Sequence, residues 1–183
     1  MGNMNNTRSQ LRHSNPAITG RRTKPIISKD YIVGLTDGEG CFYVLVRKSS
    51  NYRAGAMIEL RFHIKMQAEE KPLLEKVKNT LACGQVYFQR EKRRNHTQCY
   101  RYTVNSHDDI LTKIIPFFRQ YPLQSFSKQR SFKIFCKIAE LVQQKQHLTK
   151  QGIAKIRQLK TNLNKKYRAR VVREIRTLRG NTK

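Results

Sequence analysis

The feature that most constrains the fold is a strict alternation of residue types between positions 57 and 65. One set of alternate positions is apolar: Ile58, Leu60, Phe62 and Ile64. The other set is mostly polar or charged: Met57, Glu59, Arg61, His63 and Lys65. A period of two predicts a strand of an antiparallel sheet that is buried on one face only. The open face of this sheet is then basic and rich in hydrogen-bonding groups.

Two hairpins follow from this pattern. Residues 42–47 predict the first strand, with Phe42, Val44 and Val46 on the buried face, and a turn rich in serine and asparagine leads to the strand at 57–65. A second hairpin is predicted from residues 85–89 and 98–104, joined by a basic turn at 90–96. On its return strand Tyr102 and Val104 point inward.

Helical signals surround the hairpins. Ser28 is a candidate N-cap for a helix over residues 29–38, and Pro72 stands near the start of a helix that ends at about residue 81. Further helices are predicted over 108–121, where Pro116 kinks the helix or starts a new one, over 128–144, and around Ile153. The order α-β-β-α-β-β-α-α indicates an α+β domain: a four-stranded antiparallel sheet with helices on one face.

The chain divides into three parts by composition. Residues 1–27 predict a flexible basic arm that either lies along phosphates or is a solvated tail. Residues 28–145 hold the patterned domain. Residues 146–183, with a single acidic residue, predict a basic C-terminal helical extension.

The formal net charge of +26 favours a polyanionic partner. Nucleic acid is the first candidate and an anionic membrane surface the second. No apolar run has the roughly 18 residues that a membrane helix needs, so a spanning protein is not expected. A small-molecule substrate is not expected either.

The cysteines Cys41, Cys83, Cys99 and Cys136 lie far apart, and none belongs to a C-x-x-C pair. Zinc-ligand spacing is therefore missing, and a disulfide framework is not expected in a chain of this length without a secretory signal. We expect four reduced thiols, mostly buried, in a reducing compartment.

Residues 32–40, Ile-Val-Gly-Leu-Thr-Asp-Gly-Glu-Gly, resemble the motif of the LAGLIDADG homing endonucleases. Gly34, Leu35, Asp37 and Gly40 match it, and Glu39 stands for the terminal acid. The resemblance extends over about residues 28–145 and includes the Cys-Gly turn at 83–84 and the segment Ser-Phe-Ser-Lys-Gln-Arg-Ser-Phe at 125–132. The motif occurs once, so the likeness is to the single-motif branch, whose members are homodimers.

The resemblance implies roles for particular residues. Glu39 matches the metal-binding acid, the Gly38 carbonyl can also face a Mg²⁺ ion, and Lys128 matches the active-site lysine. Asp37 matches an acid that serves structure at the helix end. Helix 29–38 would pack on its copy through Gly34, Leu35 and Gly38.

The family places a water-positioning glutamine at the end of the second strand. Here an ungapped alignment puts Met66 at that position and Gln67 next to it. Gln67 is the candidate catalytic residue, or else the role is missing. Where relatives carry another basic residue, this chain reads Glu69-Glu70-Lys71, and Lys71 is the candidate.

Strand parity predicts which side chains face DNA. Glu59 can accept from cytosine or organise Arg61 and Arg47, while arginine and lysine can pair with guanine. The predicted DNA-contacting residues are Tyr43, Leu45, Arg47, Ser49, Met57, Glu59, Arg61, His63, Lys65, Gln89, Arg101 and Thr103.

Together these features predict a homodimeric, Mg²⁺-dependent, site-specific endonuclease that makes a staggered double-strand break in a long, pseudo-palindromic DNA target. The resemblance implies that it is encoded in a group I intron of a mitochondrial or chloroplast genome. Two alternatives use the same fold: an RNA maturase that assists splicing, and a non-catalytic DNA-binding protein. Glu39 and Lys128 favour the nuclease, whereas Met66 and Glu70 favour the alternatives.

Overall fold

The sheet has four antiparallel strands in the order β1-β2-β4-β3. The computed structural model describes residues 26–91 and 97–163, so most of the predicted N-terminal arm, the tip of the second hairpin and the end of the C-terminal extension lie outside the described residues. The strands are β1 (Gly40–Lys48), β2 (Ala56–Gln67), β3 (Gln85–Gln89) and β4 (Cys99–Val104). Each predicted hairpin is present, and β2 and β4 join the two.

The register confirms the predicted parity of the long strand. Phe42 is opposite Phe62, and Phe62 is in turn opposite Val104, so apolar side chains of three strands meet on one face. Ile58, Leu60 and Ile64 are buried on that face. The side chains between them point to the open face, as the period of two requires.

Helices cover the buried face. They are α1 (Lys29–Glu39), α2 (Lys71–Leu81), the short α3 (His107–Asp109), α4 (Ile115–Gln120), α5 (Phe126–Gln143) and α6 (Lys150–Leu163). Ser28 caps α1, since its hydroxyl accepts a hydrogen bond from the backbone N–H of Tyr31 at 3.2 Å. The predicted α+β architecture is therefore confirmed.

The helix predicted over residues 108–121 is divided. A π-helical segment, Ile110–Ile114, separates α3 from α4, and Pro116 stands in the first turn of α4. Proline lacks the N–H that a continuous α-helix would need. The series of backbone hydrogen bonds is therefore interrupted at the place where the sequence predicted a kink or the start of a new helix.

Aromatic rings fill the space between the sheet and the helices. The ring of Phe42 lies 5.2–5.5 Å from the rings of Phe62, Phe118, Phe132 and Phe135. These centroid distances are typical of favourable aromatic pairs. The first strand, immediately after α1, is therefore fixed to both α4 and α5.

The last described helix belongs to the same core. Ile153, Ile156 and Leu163 of α6 are buried with the residues of α5 and the sheet. Gly152 lies so close to Gln146 that a Cβ atom there would stand 1.9 Å from the Gln146 carbonyl oxygen, which requires a glycine. Within the predicted basic extension, the described portion is thus a packed helix.

The structure also shows the state of the cysteines and the length and apolar character of the helices. All four cysteines are free thiols, with Cys83 and Cys136 buried and Cys41 and Cys99 half-buried. Across the described ranges, 26–91 and 97–163, no helix is both long enough and apolar enough to pass through a membrane.

Candidate active site and nucleic-acid interface

The junction between α1 and β1 places an acidic side chain at a helix end. Glu39 is the last residue of α1 and is exposed, and Gly40 is the first residue of β1. The N–H of Gly40 donates to the Thr36 carbonyl, and a Cβ atom at Gly40 would stand 2.5 Å from the Thr36 methyl group. Glycine is therefore required here, and the chain passes from helix to strand without a loop.

Lys128 reaches this junction from α5. Its ammonium group donates a hydrogen bond to the carbonyl oxygen of Gly40, the residue that follows Glu39. The two residues are far apart in sequence, and the contact exists because α5 packs beside β1, which begins at Gly40. The structure therefore places the Lys128 ammonium group beside the backbone of the residue that follows Glu39, and these are two of the three catalytic candidates identified from the sequence.

Asp37 ties α1 to the segment that precedes α5. Its Oδ2 accepts a hydrogen bond from the backbone N–H of Gln124 at 2.8 Å. This bond holds the segment that positions Lys128, so Asp37 has the structural role that the resemblance implied.

A cleft beside Glu39 contains the predicted glutamine. The cleft is lined by Glu39, Lys65, Met66, Gln67, Glu69, Glu70 and Cys99. Met66 packs against the core, whereas Gln67 is exposed and has the strand parity of Lys65. Strand geometry thus favours Gln67 over Met66 for a role at this cleft. The ammonium group of Lys71 lies 5.0 Å from the centre of the Tyr100 ring, so the weaker candidate contacts an aromatic ring.

The oxygen atoms at the end of α1 suit a hard cation. The Glu39 carboxylate is exposed, and the last carbonyls of a helix, that of Gly38 included, have no partner within the helix. Carboxylate and carbonyl oxygens are the ligands that Mg²⁺ and Ca²⁺ prefer. In the part of the chain that the structure describes, no cluster of three or more His, Cys, Asp or Glu side chains can hold a metal ion.

Cations cluster on the open face next to this site. Burial, with the charges of Arg101, Arg61 and Lys128, lowers the pKa of His63 from 6.5 to about 4. Burial raises the pKa of the Cys41 thiol, and Lys128 and Arg101 act in the opposite direction. Both side chains are therefore uncharged at neutral pH, within a positive field.

Several polar atoms of the open face are buried without a partner among the described residues. They are His63 Nδ1, Arg101 Nε and Gln89 Oε1. Buried donors and acceptors without partners are costly, which favours a face that is completed by a polar ligand.

The outer surface of α1 is exposed and carries two glycines. Gly34 and Gly38 are exposed, and an added Cβ atom at either would meet nothing within 4 Å. Leu35 is half-buried beside them, and Tyr31 is 52% exposed. Among residues 26–91 and 97–163, these glycines have no packing partner that would account for them.

A family model described as LAGLIDADG endonuclease matches residues 32–139, which is more than half of the chain. The chain belongs to this family. The matched span contains α1 from Ile32 onward, the whole sheet, and α5 up to Ala139.

Individual relatives agree with this assignment. The chain is 30% identical over 134 residues to "Probable intron-encoded endonuclease 2" of Neurospora crassa, which covers 73% of this chain and 27% of that protein. It thus spans about a quarter of the length of that curated relative. I-SmaMI, solved bound to an uncleaved DNA target in the presence of calcium ions, matches with a TM-score of 0.69 and 34% identity over 76% of this chain and 45% of its own.

A shorter solved relative matches over nearly its whole length. The homing endonuclease I-TnaI has a TM-score of 0.68 and is 29% identical, with 84% of this chain and 99% of that chain covered.

The open face of this LAGLIDADG domain holds the residues that parity predicted, except Ser49, which lies in the turn after β1, and the environments of the others differ. Thr103 is on this face yet is only 7% exposed, since the hydroxyl of Tyr87 lies 3.1 Å from its Oγ1 atom. Both carboxylate oxygens of Glu59 accept hydrogen bonds from Arg61. Arg47 is exposed and its Nη2 lies 3.9 Å from the sulfur of Met57.

Two residues of this face were missed by the sequence reasoning. Tyr87 is 44% exposed and lies opposite Arg101, so it belongs to the open face. Parity within β3 could have identified it from Gln89, two residues later. Lys160 of α6 lies 5.9 Å from the ring centre of Tyr43, which shows that α6 reaches this face past the β1 edge. No local pattern in the sequence indicates that contact.

Proposed function

We propose that the protein is a homodimeric, site-specific DNA endonuclease that requires Mg²⁺. The observation that carries the proposal is the end of α1: exposed Glu39 follows an exposed glycine surface, and Lys128 contacts the next residue. The same element can therefore form a symmetric contact and present an acid at its centre.

The glycines support the dimer. A two-fold contact sets the same surface against itself, and the exposed Gly34 and Gly38 allow two copies of α1 to approach closely. Both Glu39 side chains then meet near the axis. Each helix end carries partial negative charge in addition to the carboxylate, so two ends together favour divalent cations facing a DNA phosphate.

Residues of this chain supply the remaining chemistry. Glu39 and the Gly38 carbonyl would hold Mg²⁺, which supplies an activated water and neutralises charge at the phosphate when bound. Lys128, held by the Gly40 carbonyl, places a positive charge at the scissile phosphate. Gln67 can orient the attacking water, because it shares the cleft with Glu39.

The open face supports recognition of a long site. An antiparallel sheet of this kind can follow the major groove, and its arginine, lysine and glutamine side chains can pair with base edges. Two copies related by a two-fold axis call for a pseudo-palindromic target, and one cut per protomer gives a staggered double-strand break. The resemblance to intron-encoded relatives supports intron homing in an organelle genome.

Incubation with the intron-less form of the host gene tests this function. Mg²⁺ should give two fragments with a staggered end, and Ca²⁺ should give a complex without cleavage. Glu75→Gln, which removes an acid that pairs with Lys78 on α2, is the matched control for Glu39→Gln and should cut normally. Binding without cleavage by the unaltered protein in Mg²⁺ would contradict a nuclease and favour a non-catalytic DNA-binding protein.

One observation favours an RNA maturase as the second candidate. The cleft beside Glu39 includes Glu70, an acid where relatives carry a basic residue, and the acid opposes the approach of a phosphate. Titration of intron RNA and duplex DNA under one set of conditions separates the two functions. A-form RNA has a deep, narrow major groove that excludes the sheet, so a maturase must prefer the intron RNA through other surfaces.

A further inference from the structure

A bidentate ion pair stands on the open face of β2. Arg61 Nε donates to Glu59 Oε1 at 2.6 Å, and Arg61 Nη2 donates to Glu59 Oε2 at 2.8 Å. The two residues are two positions apart on one strand and therefore point to the same face. The hydrogen bonds with Glu59 raise the pKa of Arg61, so the guanidinium group is positively charged at neutral pH.

The pair leaves one edge of the guanidinium group available. A guanidinium presents five N–H donors in a rigid plane. The bonds to Glu59 use the side edge, formed by Nε and Nη2. The end edge, formed by Nη1 and the second hydrogen of Nη2, remains directed away from Glu59. This end edge has the spacing that pairs with O6 and N7 of guanine.

The exposures of the two side chains agree with this orientation. The Arg61 side chain is 35% exposed and that of Glu59 is 19% exposed, so the arginine is the outer member of the pair. Tyr43 is the cross-strand neighbour of Arg61, and Leu45 is that of Glu59. Glu59 thus lies beside an apolar side chain with both oxygens engaged, which is a poor position from which to accept from cytosine.

We propose that Glu59 is a positioning residue that holds Arg61 in the orientation required to read one guanine in each half-site. The inference rests on the proposed DNA-binding function and assigns one of its specificity determinants. Without the carboxylate, the long arginine side chain can turn toward any nearby phosphate, and phosphate contacts carry no sequence information. The acid therefore lowers affinity for DNA in general and raises selectivity at one position.

Selection from a randomised target library, with Ca²⁺ in place of Mg²⁺, tests the proposal. The unaltered protein should select guanine at one symmetric pair of positions. Arg61→Ala and Glu59→Gln should each reduce that preference by about tenfold per half-site. The double variant should lose no more than either single variant, because the two residues act as one unit.

Two further variants separate geometry from charge. Glu59→Asp keeps the charge but withdraws the carboxylate by one methylene, so it should also lose the guanine preference. Glu75→Gln removes an acid that pairs with Lys78 on α2, away from the sheet face, and should leave the base preferences unchanged. For Glu59→Gln, affinity for unrelated DNA should be equal to or higher than that of the unaltered protein.

Different results would contradict the positioning role, its geometry and the proposed function. If Glu59→Gln keeps the guanine preference, or alters a different position from Arg61→Ala, the positioning role is wrong. If Glu59→Asp behaves as the unaltered protein does, the acid acts through charge alone and the proposed geometry is wrong. If the unaltered protein selects no sequence, the proposed function fails, and the inference fails with it.

Discussion

The ammonium group of Lys128 donates a hydrogen bond to the carbonyl oxygen of Gly40, 88 positions earlier in the chain. Gly40 directly follows Glu39, so this bond fixes a cation beside the acidic end of α1. The Asp37 carboxylate, which accepts a hydrogen bond from the Gln124 N–H, ties α1 to the segment that precedes α5.

Replacement of Lys128 by methionine should reduce cleavage much more than binding. The lost charge faces the reacting phosphate, and removal of one such stabilising group costs roughly 100-fold or more in rate. Single-turnover cleavage and equilibrium binding should be measured on the same target. Lys133→Met, at an exposed position of α5, is the matched control and should cut normally. Equal loss of binding and cleavage would instead indicate an ordinary phosphate contact.

Replacement of Glu39 by glutamine should abolish cleavage and preserve DNA binding. The carboxylate provides charge for the divalent cation, whereas affinity arises mainly from the basic surface. Gel-shift titration with parallel cleavage assays measures both properties. A variant that loses binding as well would assign Glu39 a role in folding or dimerisation.

Replacement of Gly34 by leucine should separate the protomers without unfolding them. An added Cβ atom meets nothing within 4 Å among the described residues, and a glycine within a helix costs about 1 kcal/mol relative to alanine, so the monomer should be at least as stable as before. Sedimentation should report a monomer, and the far-ultraviolet circular dichroism should be unchanged. Lys76→Leu, at an exposed position of α2, is the control for an added leucine. A Gly34→Leu protein that remains a dimer would place the interface elsewhere.

Much of the fold was predictable because it follows from local periodicity. The alternation in β2 fixed both faces of the sheet, and the same parity, extended from Ile64 to Met66, assigns Met66 to the core and Gln67 to the open face. Capping by Ser28 and the interruption at Pro116 were also local effects that sequence chemistry predicts.

The contacts between the hairpins were not predictable in this way. The strand order sets Lys65 opposite Arg101, so Arg61 and Arg101 lie on adjacent strands but about four residues apart along them, roughly 13 Å. Covering of Thr103 by Tyr87 likewise depends on how β3 pairs with β4. Inter-strand register and side-chain rotamers are set by tertiary packing, which no single segment encodes.

The depressed pKa of His63 predicts an acid-sensitive stability. Its pKa is about 4 in the folded protein and about 6.5 in the unfolded chain, so the unfolded state binds the proton more readily. The contribution of neutral His63 is complete above pH 6.5 and is lost as the pH falls toward 4. Denaturant unfolding at pH 7.5 and 5.0 should show a larger loss of unfolding free energy for the unaltered protein than for His63→Gln. Equal losses would mean that the pKa of His63 is not lowered in the folded protein.

The direct passage from α1 into β1 has a consequence for how targets can change. No residue separates Glu39, at the proposed cutting centre, from Gly40, the first residue of the reading sheet. In the proposed dimer, the covalent chain therefore sets the number of base pairs between the cut, near the two-fold axis, and the bases that the sheet contacts. Substitutions on the sheet can change which bases are recognised. The spacing between the two half-sites is set by the backbone, so these substitutions leave it unchanged.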